Sequence, residues 1–477
     1  MKRSKVIQFL TQLSAAEMVR LDKFVHSPYF NSHDETTRLF DVLKTEHPDF
    51  TEEQVSKKFI YERMYPGESF QEKKLYVLSN YLVKLIQDFL AEEEMRLQRF
   101  ERDYLALISV LAKKNLEKFV PKVLKDGQET LDEEMVRDGE HFHRRYRFLQ
   151  LRSHHILLTD NRSTDAAMQD MSDSLDQFFL LEKFRVAVAI SNRQHIVADD
   201  SRPQLLEEAI QMYQRGDFED VPLIKLYYLT LMMNLSENGD PYFEELNQLL
   251  PAVTDQIGEE DATEIYHYAI NHCTRRYKQG DMAFLPRMFS LYQQTIDQKL
   301  LFSDPSHINI NFKNVVTLGL KLAKYEWTED FIRTHGKSLH ESYQHGVMSY
   351  SLANLFFSKG EFSRAKKHLM QVEFLDPFYR LNYDMLLLKI YYECDEIETL
   401  LSRCGAFSKF IRRNASLSET NRLAYNNMVK MVRRLAKAKF DHKASQQKLQ
   451  EALAKCEHLV ERNWIEEKVR DIGALHS

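Results

Sequence analysis

Between Tyr350 and Pro377 the chain carries a nearly complete helix-turn-helix unit. Leu352, Ala353, Phe356 and Phe357 mark one helix face, and Gly360-Glu361-Phe362 makes a turn. Ala365, Leu369 and Val372 mark a second helix, which Asp376-Pro377 is expected to close. A unit of this length leaves an apolar stripe on each helix that it cannot cover alone, so it must stack on neighbours of its own kind. That requirement constrains the fold more than any other feature of the sequence.

The neighbours can be found. Aromatic or aliphatic residues recur at comparable turns at Tyr325, Phe362 and Ile397, spaced 37 and 35 residues apart. Paired helices are expected over 263–279 and 282–298, 311–323 and 327–340, 347–377, and 381–413. The interval from Met282 to Tyr325 is longer, and Phe302 to His307, with its Asp304-Pro305, is the expected insertion. The spacing is that of tetratricopeptide units of about 34 residues. The expected fold class is therefore all-α, a right-handed α-solenoid of tetratricopeptide-like helical hairpins behind an N-terminal helical module.

Composition agrees with helices throughout. The 477 residues include only 13 glycines and 11 prolines, about 5% against about 12% in an average protein. Almost no segment alternates apolar and polar residues as a strand does. Three regions are expected: an N-terminal module over 1–100, long helices over 101–200, and repeats with basic capping helices over 201–477. In the first, Ser14-Ala15-Ala16-Glu17 and Thr51-Glu52-Glu53-Gln54 have the form of capping boxes that open helices. Ser27-Pro28, Pro48 and Pro66-Gly67 should stop them. Leu75, Leu78, Leu82, Leu85 and Phe89 form one apolar seam on a helix from about 70 to 97. Helices are expected over 101–112, 115–134, 137–158 and 164–192. Ser201-Arg202-Pro203 and Asp240-Pro241 read as further helix starts.

Two stretches carry a resemblance. The first is Ser27-Pro28-Tyr29-Phe30-Asn31 with Tyr65-Pro66-Gly67 and Leu78-Ser79-Asn80-Tyr81-Leu82. The second runs from Phe312-Lys313-Asn314 through Trp327-Thr328-Glu329-Asp330-Phe331 to Leu388-Lys389-Ile390-Tyr391-Tyr392-Glu393. They resemble uncharacterised tetratricopeptide-like helical proteins of Bacteroidetes bacteria. Thr328 and Cys394 stand where small residues or glycine are usual. The resemblance implies a helical-repeat fold and no catalytic residues.

Motif chemistry narrows the function by exclusion. No run of the Gly-x-Gly-x-x-Gly, Walker A or Gly-x-Ser-x-Gly type occurs. His340 and His345 lie five apart, which turns the second ring about 140° from the first on a helix, so they do not share one metal. His141, His143, His154 and His155 read as solvated helix positions, and Glu133-Glu134 and Glu259-Glu260 as surface charge. The four cysteines are scattered without Cys-x-x-Cys spacing and read as buried thiols. No cofactor, metal or catalytic residue is expected. No apolar run approaches the length of a membrane span or signal core, so no membrane partner and a cytoplasmic location are expected.

Two surfaces remain for binding. In a stack of such units the first helix of each lines the inner surface. This places Lys313, Thr317, Tyr350, Asn354, Phe357, Lys389 and Tyr392 there, a mixture that suits an extended protein or peptide segment. The bland alternative is that these aromatics pack between repeats, as Trp327 should. The second surface is basic. Residues 405–477 hold 15 Lys+Arg against 8 Asp+Glu, whereas residues 101–404 carry a net −12. Lys430, Arg433, Arg434 and Lys437 fall on one helix face, with Arg412 and Arg413 before it and Tyr425, Met428, Val432 and Leu435 opposite. The face could meet nucleic acid or simply form the polar outside of a capping helix. A rival reading makes 51–90 a DNA-binding helix pair with Gln71, Lys73, Lys74, Asn80 and Lys84 outward. Residues 1–100 are nearly neutral, which argues against it. The leading expectation is a non-enzymatic scaffold for a protein segment; the alternative is a nucleic-acid-binding regulator using 51–90 or 412–439.

Overall fold

The computed structural model describes residues 4–159, 167–195, 200–216, 218, 221–304, 307–372, 377–414, 417–441 and 446–475. Among these there are helices and turns and no strand, so the fold class is all-α. The chain divides into two compact units, 1–182 and 183–477.

Two separate cores stand out among the described residues of the first unit. Around one are α1 (Lys5–Gln12), α2 (Ala15–Val25), α3 (Asp34–Lys44) and α4 (Lys57–Met64), all packed on the long α5 (Glu72–Leu97). Leu75, Leu78, Leu82, Leu85 and Phe89 of α5 are all buried there, with Leu10, Leu21, Phe40 and Ile60 from the other helices. The capping box at Ser14 forms: its hydroxyl accepts from the Glu17 N–H and the Glu17 carboxylate accepts from the Ser14 N–H. The one at Thr51 does not. The Thr51 hydroxyl donates to the Gln54 side-chain oxygen instead of accepting from the backbone, leaving a single turn. Ser56 caps α4 in its place, accepting from the Phe59 N–H.

The second core of this unit contains Phe100, Leu105, Ile108, Val120, Leu124, Leu131 and Phe148. It lies among α6 (Leu107–Lys113), α7 (Val120–Glu133) and α8 (Gly139–Thr159). The expected helix over 101–112 opens as a π turn at Glu101–Ala106, and a short 3-10 turn at Glu117–Phe119 precedes α7, whose first turn holds Pro121. His141 is not solvated as the sequence suggested. It is buried, and its Nδ1 lies 2.6 Å from a Glu134 carboxylate oxygen, which Arg144 also contacts at 3.1 Å.

α9 (Ala167–Gln194) leads into the second unit, followed by α10 (Leu206–Gln214). Pro203 does not open α10, which starts only after Leu205, a residue in the left-handed region at φ 58°. Pairs then follow: α11 (Pro222–Leu235) with α12 (Asp240–Val253), α13 (Glu259–Lys278) with α14 (Phe284–Asp297), and α15 (Ile308–Lys321) with α16 (Tyr325–His335). After them come α17 (Glu341–Ser358) with α18 (Phe362–Leu369), α19 (Pro377–Glu393) with α20 (Ile397–Arg413), and finally α21 (Glu419–Asp441), α22 (Gln446–Ala454) and α23 (Arg462–Leu475). Each packs on its partner. First helices also pack on one another, α11 on α13, α15 on α17, α17 on α19, and α19 on α21.

One turn is reused inside four pairs. Gly280, Ala323, Gly360 and Asp395 have positive φ, and the N–H of the next residue reaches the carbonyl five positions back. Those bonds are Asp281 to Arg276, Lys324 to Gly319, Glu361 to Phe356 and Glu396 to Tyr391, at 3.1, 2.9, 2.8 and 3.0 Å. This satisfies carbonyls that a helix end leaves open. Tyr325, Phe362 and Ile397 follow as the first residues of second helices. Pro377 opens α19 and does not close α18, which ends at Leu369; Asp376 lies outside the described residues.

Candidate functional site

α15 and α17 lie side by side, and each presents a polar row on one face. On α15 the row is Lys313, Thr317 and Lys321; on α17 it is Tyr350, Asn354 and Ser358. Residues four apart lie nearly over one another on a helix, so each row is continuous. With Val316, Leu320, Ser351 and Asn382 they line a recess of about 310 Å³. The Thr317 hydroxyl donates to the Lys313 carbonyl at 2.8 Å, and the Asn354 amide N–H to the Tyr350 carbonyl at 3.0 Å. Those bonds leave the Asn354 side-chain oxygen available as an acceptor. Lys321 is tethered across to α13, its Nζ 3.2 Å from the Tyr277 hydroxyl.

Four of the seven expected groove residues, Lys313, Thr317, Tyr350 and Asn354, thus meet at one place. The other three do not join them. Phe357 is half-buried against Phe362, with Lys389 Nζ 4.8 Å from its ring centre. Lys389 is itself buried, 2.9 Å from Glu461. Tyr392 is 2% exposed, edge-on to Trp464 at 5.4 Å and under Lys439 at 4.7 Å. Burial foremost, with Glu393 beside it, raises the Tyr392 hydroxyl well above its ordinary range. The face of α19 that the sequence suggested would line a groove is covered here by Lys439 of α21, Trp464 of α23 and Glu461. Lys389 and Tyr392 are therefore packing residues, a correction to the sequence expectation.

Lys321, Ser358 and Asn382 were missed. For the first two the signal existed: Lys321 continues the four-residue step from Lys313 and Thr317, and Ser358 continues it from Tyr350 and Asn354. Asn382 arrives from the next pair, and no local spacing announces it.

Five of the six residues of the expected basic face are exposed. Arg412 and Arg413 are exposed at the end of α20, and Lys430, Arg434 and Lys437 are exposed on α21. None of these five makes an ion pair among the described residues. Arg433 is half-buried beside the Cys404 thiol, which burial pushes up to about 11. Tyr425, Met428, Val432 and Leu435 are buried opposite. In the first unit, Lys74 is engaged with Glu35 at 2.6 Å and lies over the Tyr65 ring at 3.9 Å, while Gln71 precedes α5; Lys73, Asn80 and Lys84 are exposed. His340 and His345 are both exposed. The cysteines are free thiols, Cys273 and Cys404 buried, Cys394 and Cys456 half-buried.

Comparison with protein-family models, with curated proteins and with solved structures finds no match. No helix among the described residues is long and apolar enough to cross a membrane. The functional reading rests on the geometry of the chain itself.

Proposed function

We propose that the chain is a cytoplasmic, non-enzymatic scaffold of tetratricopeptide-like repeats, stacked as a right-handed solenoid, that holds a protein segment at the recess between α15 and α17. The observation that carries this reading is the convergence of Lys313, Thr317, Lys321, Tyr350, Asn354, Ser358 and Asn382 on one concavity. An extended segment needs acceptors and donors for its backbone and an apolar floor for alternate side chains. Asn354, Asn382 and the hydroxyls supply the first, and Val316 and Leu320 the second.

A second reading, nucleic-acid binding through α21, is favoured by one observation: Arg412, Arg413, Lys430, Arg434 and Lys437 are exposed and unpaired among the described residues. Salt separates the two, because phosphate contacts release counterions and weaken steeply as salt rises.

The test is selection of a displayed peptide library against the wild-type chain and against Thr317→Trp/Asn354→Trp, which fills the recess. Peptides that bind the wild type and lose at least about tenfold in affinity, about 1.4 kcal/mol, for the filled variant support the scaffold reading. Equal binding to both removes the recess from it. Binding of a nucleic-acid oligomer that collapses with salt and with Lys430→Glu/Lys437→Glu supports the second reading instead.

A further inference from the structure

Adjacent arginines on α13 are treated oppositely. Arg276 has two carboxylates, Asp240 at 3.0 Å and Asp281 at 3.1 Å. Arg275 has none. Its one hydrogen bond among the described residues goes from Nη2 to the side-chain oxygen of Asn234 on α11, at 2.6 Å. Yet Arg275 is half-buried, like Arg185, which has Asp261 at 2.7 Å, and Arg403, which holds Asp384. Scarcity of acid does not explain this, since residues 101–404 carry a net −12.

The groups that hydrogen-bond around Arg275 are neutral amides, with two imidazoles nearby. The Asn234 amide is locked: its N–H donates to Ser191 Oγ at 3.1 Å while its oxygen takes Arg275. One turn earlier on α13, Asn271 donates to the Asn192 side-chain oxygen of α9 at 3.4 Å. His195, just past the end of α9, and His272 both feel the Arg275 charge, and it helps hold their imidazoles below the ordinary range, after burial. Three helices therefore bring together the Arg275 guanidinium, the His195 imidazole and three amides, with no carboxylate paired to the guanidinium among the described residues; the nearby His272 has its own, Asp240 at 3.3 Å. A half-desolvated guanidinium without an anion is costly, and the fork of N–H donors matches a carboxylate or phosphate.

We propose that Arg275, with Asn234 and His195 beside it, is a receptor for an oxyanion carried by a ligand, a carboxylate or a phosphoryl group. The site is separate from the recess between α15 and α17 and does not depend on what that recess binds.

Two variants test it. Arg275→Gln removes the fork. Asn234→Asp places a carboxylate where the amide oxygen now meets Nη2, so the chain supplies its own anion and occupies the site. The probes are sodium phosphate and sodium acetate against sodium chloride at matched ionic strength, read as melting temperature and by calorimetry. Phosphate stabilises most proteins by exclusion from the surface, so the difference between wild type and variant is what counts.

The expected result has three parts. Phosphate or acetate raises the wild-type melting temperature, Arg275→Gln loses that specific rise, and Asn234→Asp melts higher in chloride and no longer responds. Binding by calorimetry weakens at least about tenfold in both variants. A response to phosphate alone identifies a phosphoryl ligand, and a response to acetate as well identifies an acidic side chain or terminus. Equal responses in all three proteins, or none in the wild type, overturn the proposal. Should Arg275→Gln fail to fold, Asn234→Asp alone decides: a retained anion response in that variant overturns it.

Discussion

Where α15 crosses α16, Gly319 faces Thr328 with no room to spare. A Cβ at 319 would stand 2.3 Å from Thr328 Oγ1, and Thr328 is wholly buried with its hydroxyl donating to the Lys324 carbonyl at 2.7 Å. Gly319→Ala should therefore destabilise by about 1–3 kcal/mol, the range for overpacking a filled core. Thr328→Ala should cost about 1 kcal/mol for its lost hydrogen bond. The double variant should cost less than the sum, because removing Oγ1 makes space for the new methyl. Urea unfolding of the four proteins checks this, and strict additivity would mean the helices simply move apart. His272 offers a second measurement at this scale. It is buried, stacked on Phe243 at 5.3 Å, and its imidazole is pushed below the ordinary value by burial first and by Arg275 next. The unfolded chain then takes up a proton near pH 6.5 that the folded chain refuses until lower pH, so stability falls as pH drops below about 6.5. The acid-side slope of melting temperature should be shallower in His272→Gln; an equal slope would clear His272 of that role.

Elements show why some boundaries are readable and others are not. Gly360 announces its turn, because glycine is the residue that enters the left-handed region freely. Ala323 and Asp395 make the same turn at φ 54° and 59° without any such sign. They were found only through the apolar residue two positions on, which starts the next helix. Thr51 misled for the converse reason: side-chain type and spacing were right, but the hydroxyl had Gln54 as a nearer partner. Left-handed conformation costs a non-glycine residue about 1–2 kcal/mol, and a new glycine returns about 0.4–1 kcal/mol of that as unfolded-state entropy. Ala323→Gly should thus stabilise by up to about 1 kcal/mol in the same urea assay. Asp395→Gly should gain less, because Asp395 is the partner of Lys439. A loss at Ala323 would mean its methyl makes contacts worth more than the strain.

At the level of the whole molecule, the sequence disclosed which faces are apolar or charged but not what covers them. Lys313, Thr317, Tyr350 and Asn354 were readable because α15 and α17 keep a regular step and, among the described residues, only Asn382 of a later helix joins them in lining the recess. Lys389 and Tyr392, three apart on one face of α19, were misread because their partners, Glu461 and Trp464, stand about 70 residues further along. Periodicity carries no information at that range. Arg275 escaped notice for a related reason, since a missing counter-charge is visible only once the neighbours are in place. Trp464→Ala should cost about 3–5 kcal/mol, the usual loss for a large buried aromatic, and leaves Trp327 as the single tryptophan to report unfolding. A loss below about 1 kcal/mol would mean that α23 lies on α19 only loosely.

The Glu393 carboxylate near the end of α19 accepts from Trp464 Nε1 at 3.1 Å and holds Lys468 at 3.0 Å, so α23 is fastened to it by both hydrogen bond and charge. Helical hairpins that pack on their own kind risk templating a second copy, as an open sheet edge does, and growing into filaments. Any partner seeking the Lys389 and Tyr392 face of α19, a second copy included, would have to unfasten α23 first.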